Sequence, residues 1–135
     1  MVKIIKNYYD NLGNIIKEEG KNIINYLYDK SGNIVVKHDH YNNISYSYNN
    51  RNLLISEYSD LGRNISYKYN NENLLIEQRY GNDVFIKHTY DEFGRLKEKS
   101  DNEGKVFYFY LNGNHSNPIL IKKDLDLFSS KVNQK

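Results

Sequence analysis

The chain has 135 residues, with no cysteine and no tryptophan, and 19 Lys plus Arg stand against 17 Asp plus Glu. The lack of cysteine excludes a disulfide framework and a thiolate metal site. The near balance of charge excludes the sustained basic field that draws nucleic acid or an anionic membrane.

A chain this long holds one domain with its own core, and 14 Tyr with 5 Phe predict that the core is aromatic. The N-terminus, Met1-Val2-Lys3-Ile4-Ile5-Lys6, lacks the apolar run of a secretory signal. No segment approaches the roughly 20 apolar residues of a membrane helix. The expectation is a soluble, cytoplasmic protein, with non-classical export left open.

In chain order, one unit recurs. Tyr9-Asp10-Asn11-Leu12-Gly13-Asn14-Ile15 is followed by Tyr28-Asp29-Lys30-Ser31-Gly32-Asn33-Ile34, then by two looser copies headed by Tyr48 and Tyr69, then by Tyr90-Asp91-Glu92-Phe93-Gly94-Arg95-Leu96. A degenerate sixth is headed by Tyr110, so the step is about 20 residues. Before each lead tyrosine, residues alternate with period 2, the mark of a half-buried strand. The aligned triplets are Ile5/Asn7/Tyr9, Ile24/Tyr26/Tyr28, Ile44/Tyr46/Tyr48, Ile65/Tyr67/Tyr69, Ile86/His88/Tyr90 and Val106/Tyr108/Tyr110. One sheet face is expected to be packed by this column. The other is polar mid-chain and becomes more apolar at Phe85, Phe107 and Phe109.

Asp or Asn follows each lead tyrosine (Asp10, Asp29, Asn49, Asn70, Asp91), a residue type whose side chain bonds backbone N–H groups two positions on. Three residues later stands Gly or Asn (Gly13, Gly32, Asn52, Asn73, Gly94), types that tolerate a left-handed backbone. This predicts hairpin loops built on a type I turn closed by the left-handed residue. A second strand then opens with Ile15, Ile34, Leu54, Leu75 or Leu96, and a second set of short loops returns the chain to the next repeat.

The predicted fold is all-β: about a dozen antiparallel strands as consecutive hairpins, in a sheet that is curved or partly closed. The predicted domain covers 1–128, with repeats near 5–19, 20–39, 40–58, 59–80, 81–100 and 101–118. Residues 119–128 are expected to cap the last edge, and 129–135 to form a flexible tail.

Tyr-Asp-x-x-Gly-Arg-Leu at this step resembles the YD repeat of Rhs and teneurin proteins over roughly residues 5 to 110. Tyr90 to Leu96, including Arg95, fits the pattern fully; the copies headed by Tyr9 and Tyr28 have Asn for Arg, and those headed by Tyr48 and Tyr69 have Asn for both Asp and Gly. In that family the repeats coil a β-strip into a shell. Bacterial shells enclose a toxin, and related repeats have been linked to carbohydrate binding. A dozen strands make a strip only about 60 Å wide, too narrow to wrap a cargo domain. The Asp-Pro pair tied to self-cleavage is absent, since the one proline, Pro118, follows Asn117. The resemblance implies a short stand-alone member, with no shell-closing or protease residues to carry over.

Candidate chemistry is sparse. His38 and His40 are two apart on one strand face and could share a metal only with a third ligand, which no spacing supplies. His88 takes a tyrosine's place in the column and reads as a packed core histidine. No phosphate loop, nucleophile elbow or His-Glu-x-x-His motif is present. The chain is therefore read as non-catalytic, with no cofactor and no metal. Tyr58 and Tyr80, off the main column near the ends of second strands, are candidate surface platforms. The expected function is a protein-binding module, an immunity or accessory protein of an Rhs-type toxin system. The alternatives are a carbohydrate- or surface-binding module and a structural remnant that self-associates edge to edge.

Overall fold

The computed structural model describes residues 4–111 and 117–125. The strands are β1 (Lys6–Tyr9), β2 (Ile15–Glu19), β3 (Ile23–Tyr28), β4 (Ile34–Asp39), β5 (Asn43–Tyr48), β6 (Leu54–Ser59), β7 (Asn64–Tyr69), β8 (Leu75–Tyr80), β9 (Val84–Tyr90), β10 (Leu96–Asp101), β11 (Gly104–Phe109) and β12 (Leu120–Leu125). They line up in sequence order as one open sheet whose ends are β1 and β12, and no helix occurs among the described residues. By contacts the chain divides into two units, Met1–Ile65 and Ser66–Lys135.

Each repeat turns on its Asp or Asn. In the first unit the Asp29 N–H donates to the Asn33 carbonyl at 2.9 Å and the Gly32 N–H to the Asp29 carbonyl at 3.1 Å. Asp29 Oδ1 accepts the N–H groups of Ser31 and Asn33, both at 2.9 Å. Asp10 repeats this geometry on Leu12 and Asn14, and Asn49 on Arg51 and Leu53. In the second unit Asn70 does so on Glu72 and Leu74, and Asp91 on Phe93 and Arg95. The residue closing each turn is left-handed, with φ of 86° at Gly32 and 61° at Asn52. Nothing lies within 4 Å of where a Gly32 Cβ would be, so backbone strain and not crowding selects glycine there.

The turns also show a pairing that is readable in the sequence. Where the head residue is Asp, its second oxygen is taken by the side chain four residues on: Asn14 Nδ2 at 3.1 Å, Asn33 Nδ2 at 3.2 Å and Arg95 Nε at 2.7 Å. Where it is Asn, the residue four on is Leu53 or Leu74. An amide offers N–H groups where a carboxylate offers a second acceptor, so a donor side chain has nothing to bond there.

The lead tyrosines tie one hairpin to the next. In the first unit Tyr28 donates its hydroxyl to the Ile15 carbonyl at 2.6 Å and Tyr48 to the Ile34 carbonyl at 2.7 Å. In the second, Tyr90 donates to Leu75 at 2.6 Å and Tyr110 to Leu96 at 2.7 Å. In every case the acceptor opens the preceding second strand. No repeat precedes Tyr9 among the described residues, and it is 57% exposed.

The expectation of a packed aromatic core is corrected. Among the described residues the one buried apolar side chain is Ile65, and no side chain is fully buried. The column is half-covered, with a burial alternation that holds along β3, β5 and β7. A β-bulge explains why. Tyr28 pairs with Ile34 but Leu27 pairs with Val36, so Val35 is skipped; Ile16, Ile55 and Lys97 are skipped in the same way. The bulge reverses face parity along β2, β4, β6 and β10. Charged residues therefore stand opposite the column: Lys37 against Tyr26, Glu57 against Tyr46 and Lys99 against His88. Tyr26 also donates to Glu18 Oε1 at 3.3 Å.

One return loop proves to be a further turn of the same plan. In Tyr58-Ser59-Asp60-Leu61-Gly62-Arg63 the Ser59 N–H donates to the Arg63 carbonyl at 2.8 Å and the Gly62 N–H to the Ser59 carbonyl at 2.9 Å. Gly62 has φ 92°, and Ser59 Oγ accepts the Leu61 N–H at 3.2 Å. The 119–128 segment is a regular strand over Leu120–Leu125, paired along β11; residues 126–128 and the tail lie outside the described residues.

The turns and the tyrosines can each be tested by substitution. Asp29→Asn should lower the thermal midpoint, because an amide N–H then faces Asn33 Nδ2, and adding Asn33→Leu should recover most of the loss. Backbone N–H groups, above all that of Asn33, hold the Asp29 carboxyl below its ordinary pKa. Its contribution is therefore intact above the unfolded value of about 3.9 and fades as pH falls below it; both the single and the double variant should lose that part of the acid dependence. Tyr48→Phe should cost about 1 kcal/mol in denaturant unfolding. Burial raises the Tyr48 phenol, so its share of stability persists up to the unfolded value of about 10 and is lost at higher pH. The Phe variant should show the weaker alkaline loss.

Candidate interaction surface

The repeat-defining turns, and with them Tyr28, Tyr48 and Tyr90, are spent on the hydrogen bonds above, so the surface open to a partner must be sought elsewhere. In the first unit the face off the column carries a straight cross-strand row, Tyr8, Lys17, Asn25, His38 and Asn43. Tyr8 anchors its end: the ammonium groups of Lys6 and Lys17 each lie 5.0 Å from its ring, and its hydroxyl donates to Glu19 Oε2 at 2.8 Å. These contacts hold the Glu19 carboxyl below its ordinary pKa, the Tyr8 bond first and the Lys17 charge next.

His38 bonds through Nδ1 to Asn43 Oδ1, and His40 stands edge-on to Tyr41 at 5.0 Å. An open hollow of about 400 Å³ lies beside them, bordered by Lys21 and Asn25. Among the described residues no three His, Cys, Asp or Glu side chains converge as a metal site requires.

Tyr58 and Tyr80 do not occupy equivalent positions. Tyr58 pairs with Ser45, off the column, and is 56% exposed. Tyr80 pairs with Val84, its hydroxyl meets Gln78 Nε2, and it is half-buried. Tyr58 lies ten residues after its lead tyrosine and Tyr80 eleven. With a side-chain period of 2 that single residue selects opposite faces. Of the two, Tyr58 is the open ring.

In the second unit the off-column face is built around charge and phenylalanine. Glu77, with its side chain 12% exposed, lies 3.3 Å from Lys68 Nζ and 2.6 Å from Arg79 Nε. Burial pushes the Glu77 carboxyl up, but the two cations outweigh it and leave the pKa below its ordinary value. Arg79 and Lys87 sit over the Phe85 ring at 5.7 and 5.2 Å. Beside them a groove of about 720 Å³ is lined by Phe85, Thr89, Ser100 and Phe107, with Lys87, Lys105, Glu98 and Asp124 around it. Lys105 is held by Glu98 at 3.2 Å. The signal for this groove is the rise in apolar character at Phe85 and Phe107; the two rings come within one groove because β10 places the small Ser100 between Lys87 and Lys105.

His88 lies in the column opposite Lys99. Its Nδ1 is buried without a hydrogen-bond partner, and burial first, then the Lys99 charge, lowers its pKa. The neutral ring is the folded form. Its contribution is present above about pH 6.5 and is lost as pH falls through the lower folded value. His88→Tyr restores the residue found at Tyr26, Tyr46, Tyr67 and Tyr108 and should raise the thermal midpoint. It should also remove the loss of stability as pH falls below about 6.5, checked by thermal melts of both proteins at neutral and acidic pH.

No protein-family model and no curated protein matches this chain.

Proposed function

We propose that the chain is a non-catalytic protein-binding module of the YD-repeat kind, whose partner is a toxin or other component of an Rhs-type system. The recurring Tyr-Asp-x-x-Gly unit supports the kinship. The observation that carries the binding reading is the Phe85–Phe107 groove. It is an apolar cleft ringed by charges, on a sheet face that no second layer of the described residues covers. Domains ordinarily bury such a face against another layer, and aromatic anchors in a depression with a polar rim are the usual makings of an interface. Of the acids in this region, Glu98 is paired with Lys105 and Glu77 with Lys68 and Arg79.

The test is capture from native lysate with the tagged protein, followed by binding measurements on whatever partner is retained. One stoichiometric protein, bound at least tenfold more weakly by Phe107→Ala, is the expected result. Retention of nothing, or binding indifferent to Phe107→Ala, would sink the reading. The exposure of Tyr58 favours a second one, carbohydrate stacking. In that case glycan binding should be present and should fall with Tyr58→Ala.

A further inference from the structure

The array of repeats obeys a constant register. Within a hairpin, the residue before the lead tyrosine pairs with the residue eight after it: Tyr8 with Lys17, Leu27 with Val36, Ser47 with Ser56, Thr89 with Glu98. Between hairpins, the residue eight after one lead tyrosine pairs with the residue three before the next: Lys17 with Asn25, Val36 with Ser45, Glu77 with Lys87, Glu98 with Phe107. The strand β12 fits this scheme despite its divergent sequence. Phe109, just before Tyr110, pairs with Leu120, so Leu120 holds the place of Lys17, Val36 and Glu98.

The two ends of the array are therefore complementary. At one end, among the described residues, β1 is a first strand with no second strand before it, and Tyr9 meets no carbonyl of a preceding repeat. At the other, β12 is a second strand with no first strand after it among the described residues. Continuing the register sets Leu120 against Lys6 and Ile121 against Ile5 of another molecule. Two residues before Leu120, where the other repeats keep the carbonyl that receives a tyrosine hydroxyl, stands Pro118, which lacks an N–H but keeps its acceptor oxygen. Large apolar side chains are exposed at both ends: Ile4 81% and Ile5 65% beside β1, Ile119 61%, Leu120 56% and Ile121 58% at β12.

From this continuity we infer that the protein self-associates head to tail, β12 of one molecule pairing with β1 of a second copy and Pro118 receiving the Tyr9 hydroxyl. The contact repeats the junctions already present within the chain, and the inference is independent of the partner proposed above. It is a heterologous contact, using a different surface on each copy. Lys122 and Lys123 on β12 and Lys6 on β1 bring like charges together. Salt should therefore strengthen the association, since the screening length falls from about 30 Å at 0.01 M to about 8 Å at 0.15 M.

Sedimentation velocity of the full chain tests it. The wild type should show an average sedimentation coefficient that rises with protein concentration and with salt. Ile5→Lys and Ile121→Lys, each at an exposed edge position, should be monomeric alone with unchanged circular dichroism. Mixed, they should form a heterodimer and nothing larger, because each supplies the edge the other has lost. Tyr9→Phe should weaken the association about tenfold. A wild type that stays monomeric to about 1 mM would overturn the inference. So would self-association of either lysine variant alone, which would mean that each edge pairs with its own kind.

Discussion

The phenol that reaches back to the preceding repeat is the interaction on which this structure depends. A single hairpin is marginal in water, and among the described residues no second layer covers the sheet to give its hairpins a shared interior. Tyr28, Tyr48, Tyr90 and Tyr110 each donate to the carbonyl at the start of the previous second strand. For Ile15, Ile34 and Leu96 that carbonyl lies next to the bulge, where the ladder is locally broken. The bulge, the tyrosine and the turn are one device. The bulge breaks the ladder beside the acceptor, the turn fixes where the tyrosine stands, and the hydroxyl closes the gap between neighbours.

The turns are held as locally as the tyrosines. Each of the five Asp or Asn heads satisfies two backbone N–H groups with one oxygen, so each of those repeats brings its own loop closure. Adjacent repeats are also stitched at the loops. Asn33 Nδ2 donates to Asn52 Oδ1 at 3.0 Å, Asp60 Oδ1 accepts the Asn43 N–H at 3.0 Å, and Asn102 bonds both the Phe85 N–H and the Asp83 carbonyl. Local and nearest-neighbour bonding of this kind is how repeat arrays reach stability without a common core. It also leaves most side chains half-open to water, which is the condition for faces and edges to serve as binding surfaces.

Much of the fold was legible in the sequence because the repeat places the same residue types at the same offsets. The order of strands, the left-handed positions at Gly13, Gly32, Asn52, Asn73 and Gly94, and the role of Asp and Asn all follow from those offsets. What stayed hidden depended on one-residue shifts. The bulge opposite the lead tyrosine swaps the face of β2, β4, β6 and β10, so an aromatic core was expected where Lys37, Glu57 and Lys99 intervene. The same shift separates Tyr58 from Tyr80. The turn at Ser59–Arg63 was readable, since serine can stand in for Asp or Asn at a turn head, but it falls at the opposite end of the hairpins and outside the step of the repeat. The Phe85–Phe107 groove was visible only as a rise in apolar residues, because the cross-strand register that unites the two rings is not a property of either segment alone.

The central claim is that tyrosine hydroxyls couple successive hairpins, and the most direct measurement is the exchange of those hydroxyl protons with water, observed by NMR on monomeric protein. The account predicts slowly exchanging, resolved hydroxyl resonances for Tyr28, Tyr48, Tyr90 and Tyr110, and none for Tyr9. Hydroxyl protons that exchange equally fast at all five positions would contradict it.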